Sequence, residues 1–107
     1  MTLMSTEAEL KQGEAGRIEL SGELGFNNVT ELELQGRQLV DRAASSPVTV
    51  DLAGVTAVSS AGLALLISWL RYARQQGAAL SFVSVPENLL GLARVSGLDH
   101  LLLKQSA

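Results

Sequence analysis

The hydrophobic positions along the chain change their period several times, and each change marks the boundary of a predicted element. Apolar and polar residues alternate around Ile18 and Leu20, which is typical of a half-buried strand. Together with the glycines that precede them, they predict a β-hairpin over Ala8–Gly22. A loop is predicted over Gly22–Asn28.

Helical spacing replaces this alternation after the loop. It predicts a first helix from Val29 to about Ala44, for which Asn27 or Asn28 can serve as the N-terminal cap. Its apolar positions are Val29, Leu32, Leu34, Leu39 and Val40. Pro47 stops the helix. The β-branched run that follows, Val48–Leu52, predicts a buried central strand.

The second half repeats the alternation of helix and strand. A second helix is predicted from about Ser60 to Gln76, then a strand over Leu80–Val85, then a third helix from Asn88 to about Val95. The final LDHLLL is predicted to form a short turn or strand. The order β-β-α-β-α-β-α predicts an α/β fold with a mixed, mostly parallel sheet, an antiparallel edge strand and helices packed against the sheet.

Composition narrows the classes of function. A chain of 107 residues, 47% of them hydrophobic, is predicted to form one domain. The net charge of −3 disfavours a nucleic-acid partner, and the absence of cysteine excludes disulfides and thiolate metal sites. Residues 1–51 carry nine acidic and four basic side chains, and residues 52–107 carry two acidic and four basic ones. No cofactor or metal is predicted. No apolar run reaches the ~20 residues of a membrane span, so direct membrane insertion is not expected.

Two adjacent serines mark the candidate site. Ser59 and Ser60 lie between the central strand and the second helix, at the carboxyl edge where α/β sheets usually bind ligands and partners. A serine there can cap the helix or accept a phosphoryl group that meets the positive end of the helix. The two roles are compatible. Ala61 and Gly62 leave the turn open to an approaching partner.

Two kinds of chemistry are disfavoured at this turn. A catalytic serine lacks the G-x-S-x-G pattern, and the only histidine, His100, lies in the C-terminal segment, where a surface position is expected. A nucleotide or lipid-headgroup site at the start of the helix has no glycine-rich phosphate loop to support it.

The second helix has two apolar faces. One of them, which includes Leu63 and Leu66, can cover the sheet. Leu65, Trp69 and Tyr72 fall on roughly the opposite side. Because Trp and Tyr often anchor protein interfaces, this second stripe predicts a partner-binding surface. The alternative is that Leu65 and Trp69 pack against the first or the third helix.

The stretch VDLAGVTAVSSAGLALLISWLRYARQQGAALSFV, followed by VPENLLGLARVSGLDHLL, resembles a STAS domain, the fold of bacterial anti-sigma-factor antagonists. The resemblance covers about residues 16–103 of a single domain, 1–107. Antagonists controlled by a kinase typically carry D-S-[ST]-G-L at the turn. By this resemblance Ser60 occupies the phosphoacceptor position and Ser59 the position of the acid. Gly25 stands where those antagonists often have an aspartate.

The short chain, the AGLALLI helix start and the VPENL…LARVSGLD tail are more similar to a second branch. It comprises the small cytoplasmic STAS subunits of Mla phospholipid-transport ABC systems. That resemblance implies a non-enzymatic subunit, peripheral to the inner membrane, that binds and supports the transporter ATPase and serves outer-membrane lipid asymmetry. The alternative it leaves is an antagonist that binds an anti-sigma factor or kinase and is controlled by phosphorylation of Ser60. The partner-binding residues are expected to be Ser59, Ser60, Ala61, Gly62, Leu65, Trp69 and Tyr72.

Overall fold

Four strands and four helices follow one another in the order ββαβαβαα within residues 9–13, 16–25, 27–43 and 46–103, which the computed structural model describes. The strands are β1 Glu9–Gln12, β2 Arg17–Leu24, β3 Val48–Val58 and β4 Leu80–Val83. The helices are α1 Val29–Ala43, α2 Ser60–Gln75, α3 Glu87–Val95 and α4 Asp99–Leu103. The predicted order of elements is confirmed as far as α3. The final LDHLLL segment was predicted as a short turn or strand, and the structure shows instead that it forms the short helix α4 from Asp99 onward.

The strands form one sheet in the order β1-β2-β3-β4. β1 pairs with β2 in antiparallel orientation, whereas β2–β3 and β3–β4 are parallel, as the sequence predicts. Side chains alternate between the two faces of each strand. In β3, Val48, Val50 and Leu52 are buried, while Thr49 and Asp51 between them are only partly covered. One face of the sheet therefore faces the core.

The central strand is longer than the predicted Val48–Leu52, because its pairing with β2 continues past the apolar run. Leu24 of β2 still pairs with Val58 of β3, and the register shifts twice along the way. This extended pairing also carries β2 into the region predicted as a loop. It brings the carboxyl ends of β2 and β3 side by side, immediately before α2.

The strand β4 is shorter than the predicted Leu80–Val85. Ser84 has φ of +58°, in the left-handed region, so the chain leaves the extended conformation directly after Val83. Pro86, with φ of −67°, then stands just before the first residue of α3. Gly77, with φ of +77°, follows the carboxyl end of α2, which ends at Gln75, one residue before the predicted Gln76.

The core lies between the sheet and its helices, and it includes α2 residues on two flanks. Leu63 and Leu66 are buried, as predicted for the flank that covers the sheet. Leu65 and Trp69 are also buried, with 4% and 1% of their surface exposed. The prediction that these two residues lie on an exposed stripe is therefore wrong, and packing against α1 is the alternative that the structure supports.

The physical reason is the close approach of α1 to α2. Gly36 of α1 lies so close to the Trp69 indole that a Cβ at this position would stand 2.1 Å from Trp69 Cε2. Only glycine leaves room for the ring there. In addition, the indole Nε1 donates a hydrogen bond to the backbone oxygen of Glu33 at 3.3 Å. A buried tryptophan with its N–H satisfied is a stable core residue.

Leu34 is 59% exposed, although it is one of the apolar positions of the first predicted helix. The buried residues of α1 are Leu32, Gly36 and Val40, which are spaced four residues apart and share one helix face. Leu34 is two residues from Leu32 and therefore points to the other side of α1.

Among the described residues, none of the helices is both long and apolar enough to span a bilayer.

Candidate functional site

The turn between β3 and α2 is held by one of its two serines. Ser59 has extended backbone angles, φ −94° and ψ 178°, which are typical of a helix N-cap. Its Oγ accepts hydrogen bonds from the backbone N–H groups of Ala61 at 3.2 Å and Gly62 at 3.4 Å. Ser59 therefore satisfies two of the N–H groups that a helix start leaves without a partner.

Ser59 also fastens this turn to the end of β2. Its backbone N–H donates to the oxygen of Leu24 at 2.9 Å, and its hydroxyl is 3.4 Å from the same oxygen. Gly62 lies in the first turn of α2, and a Cβ there would be 2.7 Å from both Cβ and O of Leu24. Gly62 thus lets the start of α2 pack directly on β2. Both residues fix the position of the turn.

Ser60 differs from its neighbour in being exposed. It is the first residue of α2, its side chain faces solvent, and the first turn of the helix contains no acidic residue. The two roles predicted for a serine at this turn are thus divided between two residues. Ser59 is the cap, and Ser60 presents a hydroxyl that a partner can reach.

A second loop borders the turn. It follows β2, and a Cβ built on its Gly25 would have Ser59 Oγ as a neighbour at 3.8 Å. Asn28 holds this loop: its Oδ1 accepts from the Gly25 N–H at 3.1 Å, and its Nδ2 donates to the oxygen of Glu23 at 2.9 Å. Gly25 and Ser59 are the two positions where kinase-controlled antagonists are expected to carry acids, and the fold brings them together.

The flank of α2 that faces α1 ends in a row of polar contacts. Ser68 Oγ donates to Glu33 Oε2 at 2.6 Å, and an Arg37 nitrogen lies 3.0 Å from the same oxygen. The hydrogen bond from Ser68, aided by Arg37, lowers the pKa of the Glu33 carboxyl. The Tyr72 hydroxyl donates to Asp41 Oδ1 at 2.6 Å, which raises the pKa of Tyr72.

We call these polar contacts between α1 and α2 the α1–α2 seam; they join Glu33, Arg37 and Asp41 of α1 to Ser68 and Tyr72 of α2. Tyr72 is consequently a partly covered residue of this seam. Its ring lies under the Arg37 guanidinium, 4.9 Å from the ring centroid. Of the residues predicted to bind a partner, the structure brings Ser59, Ser60, Ala61 and Gly62 together at the turn. It places Leu65 and Trp69 in the core and Tyr72 at the edge of the seam.

Sequence reasoning missed the exposed side of the same helix. We call Ser60, Ala64, Arg71, Arg74 and Gln75 the outward face of α2, because all five are exposed. Their spacing of three, four and seven residues places them on one side of a helix. That periodicity is present in the sequence, but small and charged side chains at helical spacing are typical of any solvent-exposed helix face and do not by themselves predict a binding surface. The outward face continues directly from the capped turn.

This arrangement is suited to binding. The turn offers an exposed hydroxyl and a backbone held by hydrogen bonds, and His100, the residue a serine triad would need, is exposed on α4. Within the part of the chain that the structure describes, no three His, Cys, Asp or Glu side chains are grouped so that they could hold a metal ion.

The described residues thus combine a mixed four-stranded sheet with a capped helix start that directly follows β3. A family model described as "Mlab, STAS domain" matches residues 8–104. The chain therefore belongs to this STAS family, the one named for MlaB.

Solved structures agree with this assignment. A chain of the Acinetobacter MlaFEDB complex in its ATP-bound Vtrans2 conformation is 26% identical, with a TM-score of 0.76 over 88% of this chain and 96% of that one. An anti-sigma factor antagonist from Mycobacterium paratuberculosis has 17% identity and a TM-score of 0.71, over 91% of this chain and 82% of that one. The antagonist SpoIIAA in its unphosphorylated form has 14% identity and a TM-score of 0.68, over 87% of this chain and 83% of that one. The two antagonists establish the shared fold, which was predicted from the sequence.

Proposed function

We propose that this chain is a non-enzymatic STAS subunit that binds the ATPase of an ABC transporter for phospholipid. In this role it is cytoplasmic, is held at the inner membrane through the transporter, and supports the lipid asymmetry of the outer membrane. The match to a family described by the name MlaB supports the proposal. So does the similarity to a chain of the MlaFEDB complex, whose length this chain covers almost completely.

The observation that carries the proposal is that the two serines differ in role: Ser59 caps α2, and Ser60 is exposed. Ser59 holds the turn through its hydrogen bonds to Ala61 and Gly62, so the backbone is already ordered before a partner arrives. A preordered site loses less conformational entropy on binding. Ser60 and Ala64, which continue on the outward face, are small enough to let a flat protein surface approach the helix.

In mechanism, the chain acts as a regulator by differential binding. If the outward face of α2 fits one arrangement of the ATPase better than another, binding shifts the ATPase toward the favoured arrangement. No bond is made or broken by this chain. The proposal therefore predicts that changes at Ser60 alter affinity for the ATPase and leave the fold intact.

The test is Ser60→Asp. An acid in the first turn of a helix is compatible with the helix dipole, so the free energy of unfolding should be unchanged or slightly higher. Affinity for the ATPase should fall by at least about tenfold, because an interface that buries an unpaired charge is strongly weakened. The affinity is measured by titrating the purified ATPase with each variant.

Ser46→Asp is the matched control. Ser46 is also an exposed serine, but it lies just before the amino end of β3, whereas Ser60 lies just after the carboxyl end. The Ser46→Asp variant should bind the ATPase with the same affinity as the unmodified chain. If Ser60→Asp binds the ATPase as tightly as Ser46→Asp does, the outward face is not the docking site.

The second candidate function is that of an antagonist in a partner-switching pathway. It is favoured by the exposed Ser60, at the position that the STAS resemblance assigns to the phosphoacceptor, and by the fold shared with two antagonists. It predicts that a cognate kinase and ATP add the mass of one phosphoryl group to the chain and not to a Ser60→Ala variant. An unmodified mass after that reaction would argue against this candidate.

A further inference from the structure

The outward face of α2 carries two positive charges that the rest of the structure does not neutralise. Arg71 and Arg74 are exposed, and neither side chain has an ion-pair or hydrogen-bond partner within residues 9–13, 16–25, 27–43 and 46–103. They are three residues apart, so their side chains emerge from neighbouring positions on the helix.

The acids nearest along the α1–α2 seam are already engaged elsewhere. Glu33 accepts hydrogen bonds from Ser68 and Arg37, and Asp41 accepts one from Tyr72. These contacts lie on the flank of α2 that faces α1. Arg71 and Arg74 lie on the outward face, away from that flank, and within the described residues no ion pair joins either of them to an acid of α1.

The outward face also lacks any negative side chain. Its five members are two arginines, one serine, one alanine and one glutamine, and α2 as a whole contains no Asp or Glu. At 1.5 Å per residue, Ser60 and Arg71 are about 16 Å apart along the helix axis. The face thus has a small, neutral half near the turn and a basic half near the end of α2.

We propose that the basic half of this face binds a protein surface that presents carboxylates to Arg71 and Arg74, while the small half receives the closely packed part of the same partner. This inference rests on the proposed function and specifies the chemistry of the ATPase surface that meets α2. Arginine suits such a contact because its planar guanidinium can bond a carboxylate through two N–H groups.

Unpaired arginines on the rim of an interface act mainly on the rate of association and on the dependence of affinity on salt. The affinity of the unmodified chain for the ATPase should therefore fall as salt concentration rises. Arg71→Glu and Arg74→Glu should each weaken binding roughly 3- to 30-fold and flatten the salt dependence.

Arg42→Glu provides a matched control. Arg42 is also an exposed arginine without an ion pair in the described part of the chain, and it lies in the last turn of α1 as Arg74 lies in the last turn of α2. The substitution at Arg42 therefore introduces the same charge change at the same kind of helix position. The Arg42→Glu variant should bind the ATPase with unchanged affinity. Thermal unfolding followed by circular dichroism should show that Arg42→Glu, Arg71→Glu and Arg74→Glu all fold.

The experiment is a titration of the purified ATPase with the full chain and the three variants at low and high salt. The inference is overturned alone if the unmodified chain binds but Arg71→Glu and Arg74→Glu bind as tightly as Arg42→Glu. If the unmodified chain does not bind the ATPase, the proposed function fails and the inference fails with it. Binding of the unmodified chain to phosphatidylglycerol vesicles, lost in the two α2 variants while ATPase binding is kept, would also overturn it.

Discussion

The flank of α2 that faces α1 and the outward face of the same helix are built from opposite kinds of side chain. The flank contains Leu65 and Trp69, which are buried, with the indole fitted against Gly36. The outward face contains small and basic residues, beginning with Ser60. The large aromatic side chain is part of the core, and the small and basic side chains remain exposed on the outward face.

The contrast predicts its largest effect at Trp69. Trp69→Ala should lower the free energy of unfolding by about 3–5 kcal/mol, because it removes a fully buried aromatic side chain and leaves a cavity against Gly36. Urea unfolding of the purified chain measures this. A variant that keeps full stability while losing its affinity for the ATPase would show that the indole is an interface residue, and the contrast would be wrong.

The two adjacent serines should differ by a smaller amount. Ser59→Ala removes the cap of α2 and should cost about 1 kcal/mol of stability. Ser60→Ala changes an exposed side chain outside the cap and should stay within about 0.5 kcal/mol of the unmodified chain. Equal losses at both positions, measured by the same urea unfolding, would contradict the separate roles that the geometry gives them.

The smallest effect on stability is expected when the pH is lowered. The hydrogen bond from Ser68 lowers the pKa of Glu33, and the backbone N–H of Ala53, aided by Arg17, lowers the pKa of Asp51. A carboxyl group whose pKa is lower in the folded state stabilises the fold at pH values above its ordinary pKa of about 4. This contribution is lost as the pH falls through the pKa of the folded state.

Stability should therefore decline below about pH 4, and Glu33→Gln should reduce the steepness of that decline. The difference should be less than about 1 kcal/mol, because both carboxyls are only partly covered. Thermal unfolding at a series of pH values measures it. An unchanged acid profile in Glu33→Gln would mean that the seam with Ser68 contributes nothing to the linkage.

Much of the fold follows from local patterns. The alternation around Ile18 and Leu20, the β-branched start of β3 and the helical spacing after Ser60 were each sufficient to place an element. The strand ends were less predictable, because pairing decides them. β3 continues to Val58 only because β2 lies beside it, and no property of residues 53–58 alone requires a strand.

The site was predictable in part. Its position at the carboxyl edge of the sheet follows from the order of strands and helices, and so does the presence of a capping serine. Which serine caps depends on where α2 begins, and periodicity does not fix a helix boundary to one residue. The burial of Trp69 depends on Gly36, which is 33 positions away in the sequence and only meets the indole once α1 and α2 pack together.

We propose that the exposed start of α2 binds a transporter ATPase. The most direct measurement is purification of the tagged chain from its native cells at natural expression level, with bound proteins identified by mass spectrometry, for the unmodified chain, Ser60→Asp and Ser46→Asp. An ABC ATPase and its permease should accompany the unmodified chain and Ser46→Asp, and should be depleted with Ser60→Asp. Recovery of an ATP-binding kinase or an anti-sigma factor in place of the transporter would contradict the docking of α2 on the ATPase.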